Sequence, residues 1–395
     1  MAPYQVAGSG GMIYLDYQAT TPVAPEVAKA MQPWIAEKFA NPHSPSRWGR
    51  EAAAAIEVAR EQVDRAIGLQ GGSLAFTGSA TEALNWALKG TMERLGHERN
   101  RIVTVATEHA AVLDSAEWLA GQGYDLTLLP VGPDGLLDLE LLKDTVDERV
   151  AVVAVMLVNN EIGVIQRIAE GAGLAHNVGA LMLCDAVQGL GRVDIPKGPD
   201  LVAVSAHKIH GPKGVGALWM RKGCEPAPLL HGGGQEQGLR SGTLSPGLCI
   251  GFGAAAKLAA DHAQAGRLHV EALSAAALDA LGPGWIVNGS ANQRYHGNLN
   301  IRRDGLDGAR LISDLRDIAF SLGSACASGS GRPSHVLRAL GLSDREARSS
   351  IRLGFGRFTT VEELTGACQR IDAAARAQSV VPAKAGISGR KGEAA

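Results

Sequence analysis

The feature of this sequence that most restricts its fold is a regular alternation of apolar runs and helix-forming segments from Ser73 to Met220. The run from Val150 to Val158 contains no polar residue, which is typical of a strand buried on both faces. Strands that alternate with helices predict a mostly parallel sheet covered by helices. The first helix of the series is predicted to end at Gly90. The predicted strands are residues 74–77, 101–106, 124–131, 150–158, 180–184, 201–204 and 215–220.

Length, charge and hydropathy limit the class of protein. The chain has 395 residues, which allows a large core and more than one lobe. Its net charge of −2 gives no reason to expect a nucleic acid or an anionic membrane as a partner. The N-terminus lacks the pattern of a signal peptide, and no apolar run is long enough to span a bilayer. We therefore expect a cytoplasmic protein that binds neither nucleic acid nor membranes.

A lysine follows the predicted strand at residues 201–204. The strand ends in Ser205, Ala206, His207 and Lys208, and the sequence from Gly211 must form a turn. Ligands of open α/β sheets bind at the carboxyl ends of strands. Apolar surroundings disfavour the ammonium form of a lysine and leave a nucleophilic amine, which suits Schiff-base chemistry. A solvated lysine in a turn is the ordinary alternative.

The other predicted strand ends supply what pyridoxal phosphate needs beside such a lysine. Asp185 suits the pyridine nitrogen, and His109 suits the face of the ring. Residues 78–81 open a helix and suit the phosphate, as do Ser205 and His207. Asn160 and Gln188 are both candidates for the phenolic oxygen. A metal site at His207 and His210 is disfavoured, since no carboxylate or cysteine has a matching spacing.

The sequence closely resembles the cysteine desulfurases, pyridoxal-phosphate enzymes of the aspartate-aminotransferase fold that supply sulfur for iron–sulfur clusters. The resemblance extends from about Tyr14 to Thr360 and rests on many motifs in fixed order. The matching stretches are residues 14–22, 80–82, 107–109, 158–163, 185–188, 205–213, 231–234, 240–244, 323–326 and 350–352.

By this resemblance each predicted site residue receives a role. Lys208 forms the Schiff base, Asp185 pairs with the ring nitrogen, and His109 stacks on the ring and assists proton transfer. Gln188 binds the phenolic oxygen. The substrate carboxylate is held by Arg352 and Asn41, with Asn160 nearby. The remaining cofactor contacts are Ala80, Thr81, Ser205 and His207, with Thr243 reaching across from a second subunit.

Cys326 differs from the other cysteines of the chain. The count of five is odd and no pair has C-x-x-C spacing, which argues against a zinc site or a disulfide framework. Around Cys326 the sequence is rich in glycine and serine, which predicts a mobile segment. An exposed thiol there suits attack on a bound substrate and transfer to another protein. The other four, which we expect to be inert packing residues, are Cys184, Cys224, Cys249 and Cys368.

The resemblance implies an α/β fold of pyridoxal-phosphate fold type I, with a mostly parallel seven-stranded sheet in the large domain and a smaller α+β domain. We expect residues 17–256 to form the large domain. Residues 1–16 and 257–380 are expected to form the small domain with the cysteine loop, and residues 381–395 a disordered tail.

The expected reaction converts L-cysteine to L-alanine in a homodimer and leaves a persulfide on Cys326 for an iron–sulfur scaffold or another sulfur acceptor. Selenocysteine lyase, another pyridoxal-phosphate enzyme such as an aminotransferase, and a catalytically silent binding subunit are the alternatives. The sequence departs from the family at Gly78–Ser79, where the two residues are exchanged, and at Val187, which replaces a common threonine. The role of Ser79 is therefore open.

Overall fold

The computed structural model describes residues 11–323 and 333–380. The strands are β1 (Ile13–Tyr14), β2 (Gly72–Thr77), β3 (Arg101–Val105), β4 (Asp125–Leu129), β5 (Val150–Met156), β6 (Leu181–Asp185), β7 (Leu201–Ser205), β8 (Gly216–Arg221), β9 (Ile286–Val287), β10 (Asn298–Arg302), β11 (Ile318–Ala319) and β12 (Ser350–Gly354). The helices are α1 (Pro25–Met31), α2 (Pro33–Ala36), α3 (Arg47–Ile67), α4 (Ala80–Leu95), α5 (Ala110–Ala120), α6 (Leu139–Thr145), α7 (Ile168–Asn177), α8 (Pro246–Asp261), α9 (Ala263–Leu281), α10 (Gly308–Asp314), α11 (His335–Ala339), α12 (Asp344–Arg348) and α13 (Val361–Val380).

A seven-stranded sheet with the order β2-β8-β7-β6-β5-β3-β4 confirms the predicted fold class. Only β8 is antiparallel to its two neighbours in this sheet, because it pairs antiparallel with both β2 and β7. The remaining six strands therefore run in the same direction, and their carboxyl ends meet at one edge of the sheet.

The central strand β5 explains why both faces of this sheet are covered. All seven of its residues are buried. Because side chains alternate along a strand, Val153 and Val155 pack on one face with residues of α3, α7 and α8. Val152 and Ala154 pack on the other face with residues of α4 and α5. The large sheet therefore lies between two layers of helices.

Helix α4 is longer than the sequence indicates. It continues through Gly90 to Leu95, so the predicted end at Gly90 is wrong. A Cβ at Gly90 would lie 2.3 Å from the carbonyl oxygen of Ala227 and 2.7 Å from Pro226. Gly90 therefore serves the close approach of a neighbouring segment and does not end the helix.

A second apolar cluster surrounds a smaller antiparallel sheet with the order β12-β10-β9. Helices α9, α10 and α13 contribute to this cluster, and β1 joins it by parallel pairing with β11. The division into two domains at the expected boundaries stays a prediction. Within the described residues, no helix is both long and apolar enough to cross a membrane.

Candidate active site

The polar residues that the sequence places after the strands meet around one cavity of about 290 Å³ at the carboxyl edge of the large sheet. They arrive from the ends of β2, β3, β5, β6 and β7, and one further residue comes from β12 of the small sheet. The predicted site residues that line the cavity are Ala80, Thr81, His109, Asn160, Asp185, Gln188, Ser205, His207, Lys208 and Arg352.

Lys208 ends a short 3-10 turn, Ala206–Lys208, that directly follows β7. Its Nζ donates hydrogen bonds to the carbonyl oxygens of Gln18 at 2.6 Å and Ala19 at 2.7 Å. Burial, together with the positive charges of Arg192 and Arg352, lowers the pKa of Lys208 to about 7. A large fraction of this amine is therefore neutral near pH 7, as a nucleophile or base requires.

Asp185 is the last residue of β6 and is 6% exposed. Its Oδ1 accepts a hydrogen bond from the Val187 amide at 2.9 Å, and no ion pair of Asp185 is present among the described residues. Burial raises its pKa, against the attraction of His109 and Lys208. A protonated ring nitrogen would supply the positive partner that this carboxylate lacks.

Glu108 is a second buried carboxyl group close to Asp185. Burial and the negative charge of Asp185 raise the pKa of Glu108 well above its usual range. Its two oxygens accept hydrogen bonds from the amides of Met156 and His109. Of these two buried carboxyl groups, only Asp185 lines the cavity.

The N-terminus of α4 forms one end of the cavity, where Ala80 and Thr81 begin the helix after β2. The Ser79 hydroxyl caps the helix by accepting a hydrogen bond from the Glu82 amide at 3.1 Å. A Cβ at position 78 would lie 2.9 Å from the Glu82 carboxylate, whose Oε2 accepts from the Gly78 amide. The exchanged order Gly78–Ser79 therefore fits a helix cap, and the helix terminus attracts a phosphate group.

His207 also lines the cavity, and its side chain is neutral near pH 7. Burial and the nearby charges of Lys208, Lys213 and Arg192 lower the pKa of His207 to about 4. Its Nδ1 lies 3.1 Å from the Thr20 hydroxyl oxygen. Ser205, the buried last residue of β7, precedes it and also lines the cavity.

His109 is the N-cap of α5, and this position fixes its ring. The Nδ1 atom accepts a hydrogen bond from the Ala111 amide at 3.0 Å, which leaves the proton of the neutral ring on Nε2. The ring lines the cavity wall that also contains Asp185. A flat side chain held in one orientation at this place suits a stacking partner for an aromatic ring.

Arg352 on β12 is 1% exposed, and it lines the cavity. Its Nη2 forms an ion pair with Asp16 at 2.7 Å and donates to the Ser321 hydroxyl at 3.2 Å. Its Nη1 donates to the carbonyl oxygen of Asn160 at 3.0 Å. The guanidinium is thus held in place from three sides.

Three of the predicted site residues are not among those that line the cavity. Asn41 is exposed, and its Oδ1 accepts a hydrogen bond from the His43 amide at 2.9 Å. Thr243 is also exposed, and its expected place in the site of a second subunit stays a prediction. Cys326 lies outside the described residues, as does the predicted disordered tail.

Several residues at the site were not predicted from the sequence. Gln18 and Ala19 line the cavity and hold the amine of Lys208 with their carbonyl oxygens. They belong to the motif at residues 14–22, which was the only indication of their importance. Arg192 lies outside the matching motifs, although it donates hydrogen bonds to Gln188 and Lys208.

Pyridoxal phosphate fits this donor set. The cavity joins an amine with a lowered pKa, a buried carboxylate that forms no ion pair with any described residue, and the N-terminus of a long helix. The Lys208 amine suits the aldehyde of pyridoxal phosphate, the Asp185 carboxylate suits its pyridine nitrogen, and the N-terminus of α4 suits its phosphate.

Comparisons with known proteins agree with this chemistry. A family model described as aminotransferase class-V matches residues 13–366. The cysteine desulfurase IscS of Rickettsia bellii is 44% identical over 368 residues, which are 91% of this chain and 90% of that protein. The chain belongs to the class-V aminotransferase family, among the cysteine desulfurases.

Solved structures match this cysteine desulfurase family member over nearly its whole length. One described as a NifS-like protein has a TM-score of 0.86 and 32% identity, and the match covers 92% of this chain and 99% of that one. Another, SspA in complex with cysteine, has a TM-score of 0.77 and 31% identity, with 88% and 100% covered. The expected fold and pyridoxal-phosphate dependence are confirmed, and the selenocysteine lyase, aminotransferase and non-catalytic alternatives are not favoured.

Proposed function

We propose that the protein is a cysteine desulfurase that converts L-cysteine to L-alanine and takes up the sulfur as a persulfide on Cys326. The observation that carries this proposal is the meeting of the Lys208 amine, the Asp185 carboxylate and the α4 N-terminus around one cavity. It is supported by relatives that are named cysteine desulfurases and by SspA, which was solved in complex with cysteine.

Lys208 and Asp185 have complementary roles in the proposed reaction. Pyridoxal phosphate, when bound, supplies an aldehyde for the substrate amine and a ring that accepts the electron pair of the α-carbon. Asp185 holds the proton on the ring nitrogen. Lys208 Nζ takes the α-proton, because the lowered pKa leaves a large fraction of this amine neutral near pH 7.

Arg352 is proposed to bind the substrate carboxylate. The guanidinium offers two parallel N–H groups, which match a carboxylate. Its present partner is the Asp16 carboxylate at 2.7 Å, so the substrate must share or replace that ion pair. Asn160 lines the same side of the cavity and is proposed to lie beside the bound substrate. Asn41 is also proposed to bind the substrate carboxylate, although it does not line the cavity of its own chain.

The proposed transfer of sulfur from the substrate to Cys326 needs no external oxidant. The Cys326 thiolate attacks the substrate sulfur and forms an S–S bond, while the substrate Cβ–S bond breaks. The electron pair of that bond remains on Cβ, which takes up a proton, and the product is alanine. The four cysteines of the described residues, Cys184, Cys224, Cys249 and Cys368, are buried, and none of them lines the cavity. Burial also raises the pKa of Cys184, Cys249 and Cys368, which makes these thiols poorer nucleophiles.

The proposed working unit is a homodimer that delivers sulfur to an iron–sulfur scaffold or another acceptor protein. Thr243 does not line the cavity of its own chain, which supports its assignment to the site of the partner. Apolar side chains near Asn41 are strongly exposed, with Ile35 73%, Phe39 75% and Trp48 65% accessible, and exposed patches of this kind mark interaction surfaces. The cytoplasmic location stays a prediction.

The direct test is to supply L-cysteine, or L-selenocysteine in a parallel reaction, to the cofactor-loaded protein with a reductant. We expect alanine and sulfide in equal amounts from L-cysteine, and neither product from Lys208→Ala. A protein that releases selenide but no sulfide would refute the proposed substrate. Absence of both products from a fully loaded protein would refute the enzyme assignment.

A further inference from the structure

Arg192 contacts two residues of the proposed site, Gln188 and Lys208. Its guanidinium donates hydrogen bonds to Gln188 Oε1 and, at 2.7 Å, to the carbonyl oxygen of Lys208. A longer contact of 3.5 Å reaches the carbonyl oxygen of Tyr17. The guanidinium carbon also lies 5.3 Å from the ring centre of Tyr295. Arg192 does not line the large cavity, but it shares with Lys208 the wall of a smaller one of about 90 Å³.

The contact to Gln188 fixes which end of the amide faces Lys208. A guanidinium can only donate, so it must meet the amide oxygen and turn the nitrogen the other way. Gln188 Nε2 donates to the Gln18 carbonyl oxygen at 2.9 Å, and the same oxygen accepts Lys208 Nζ at 2.6 Å. The amide nitrogen and the lysine amine are thus neighbours, and the second N–H of the amide is available to a bound group.

A flipped amide would be unfavourable in two places. Its nitrogen would face the Arg192 guanidinium, where two donors meet, and its oxygen would face the Gln18 carbonyl, where two acceptors meet. Arg192 therefore selects the orientation in which Gln188 presents a donor to the cavity. The phenolic oxygen of the cofactor is the acceptor that this donor suits.

The charge of Arg192 is not neutralised by an ion pair within the described residues. The groups that accept its hydrogen bonds are an amide oxygen and two carbonyl oxygens, all of them neutral. Four charged groups face the Lys208 amine. Arg192 and Arg352 lower its pKa, while Asp16 and Asp185 raise it. Since Arg352 is paired with Asp16, Arg192 is the cation of this set without an anionic partner.

We propose that Arg192 is a positioning residue for the proposed reaction, which fixes the Gln188 amide as a donor and leaves an uncompensated positive charge beside Lys208. The proposal rests on the proposed function of the site. Together with burial, the charge lowers the pKa of the lysine amine, and the fixed amide binds the phenolic oxygen of the cofactor.

The first test measures the Lys208 amine in the full-length protein without cofactor. The protein is labelled with trinitrobenzenesulfonate across a range of pH, and the labelling rate at Lys208 is followed by peptide mapping. Arg192→Met is expected to move the half-point of labelling upward by about one pH unit. Arg192→Lys keeps the positive charge, so its half-point is expected to lie close to that of the wild-type protein.

The matched control is Arg267→Gln. Arg267 lines the same small cavity but pairs with Asp194, and it makes no described contact with Gln188 or Lys208. This variant should leave the half-point unchanged. The proposal is overturned if Arg192→Met leaves the half-point in place, or if Arg267→Gln moves it as far. Failure of the desulfurase assignment would be seen separately, as a lack of alanine from the wild-type protein.

The second test concerns the amide. Cofactor dissociation is measured for Arg192→Met, Gln188→Ala and the double variant. Because Arg192 acts partly through Gln188, the double variant should lose less affinity than the product of the two single losses. Independent losses that multiply in full would contradict the positioning role, whatever the activity of the loaded proteins.

Discussion

At the scale of single residues, Lys208 has an ionisation that differs from that of an exposed lysine. Burial and two arginines lower its pKa to about 7, whereas an unperturbed lysine titrates near 10.5. The amine is therefore protonated and unreactive below pH 7, and neutral above it. The consequence is a pH dependence that the cofactor-free protein should display.

We predict that the rate of covalent cofactor attachment rises from pH 5 to about pH 7 and then levels off. The measurement is the appearance of the absorbance band of the attached cofactor after rapid mixing with the cofactor-free protein. Lys208→Ala should give no such band at any pH. A rate that continues to rise toward pH 10 would mean that the amine is not perturbed.

Asp185 gives the second prediction at this scale. Asp185→Asn replaces the buried carboxylate with a neutral amide, which cannot hold the proton of the ring nitrogen as a carboxylate does. We expect exchange of the substrate α-hydrogen with deuterated water to slow by roughly 100-fold, with a smaller effect on substrate binding. Exchange at the wild-type rate would remove Asp185 from the proposed role.

At the scale of secondary-structure elements, Gly90 in α4 is the clearest difference between sequence and structure. An alanine in a helix interior normally stabilises by about 1 kcal/mol over glycine. At position 90 the added Cβ would meet the Ala227 carbonyl oxygen at 2.3 Å. We expect Gly90→Ala to lower the free energy of unfolding by roughly 1–3 kcal/mol, measured by urea denaturation.

Gly173 in α7 is the matched control for this prediction. It is exposed, and a Cβ there would have no heavy atom within 4 Å. Gly173→Ala should therefore be neutral or stabilise the protein by up to about 1 kcal/mol. If both variants gain stability equally, the close approach at Gly90 does not constrain the sequence.

The elements that the sequence predicts best are those whose pattern is local. The strands at residues 74–77, 101–106, 150–158 and 180–184 are all present, with ends shifted by two residues or fewer. Their polar ends could be foreseen as one site, because parallel strands share an edge. The continuation of α4 through Gly90 could not be foreseen, since it depends on Ala227, far away in the sequence.

The site residues also divide into those that a local sequence pattern predicts and those that depend on distant contacts. Lys208, Asp185 and His109 stand directly after predicted strands, so their convergence follows from the fold. Gln18 and Arg192 act through hydrogen bonds to residues that are distant or lie in a turn, and no local pattern gives those contacts. The lowered pKa of Lys208 could be anticipated in direction from apolar surroundings, but the arginines that contribute to it could not.

At the scale of the whole molecule, the proposed homodimer requires sites shared between subunits. Thr243→Ala should weaken cofactor retention, and Lys208→Ala should abolish covalent attachment. In a hybrid dimer of these two variants, one site would combine Lys208 of one chain with Thr243 of the other. We therefore expect the hybrid to recover one wild-type site per dimer, measured by cofactor titration after purification with two tags.

Thr243 acting within its own chain would give the opposite result. The hybrid would then contain no site with both residues intact, and wild-type retention would not return. A fully active monomer in sedimentation at the assay concentration would likewise contradict the shared site.

The central claim is that sulfur leaves L-cysteine at the Lys208 site and arrives on Cys326. The most direct measurement is a single turnover with sulfur-labelled L-cysteine, followed by alkylation of persulfides and peptide mapping, with alanine measured in the same sample. We predict one labelled persulfide on the peptide that contains Cys326 for each alanine formed. Cys326→Ser should retain the absorbance band of the bound cofactor and carry no label. Label on Cys184, Cys224, Cys249 or Cys368 with Cys326 unmodified would contradict the account.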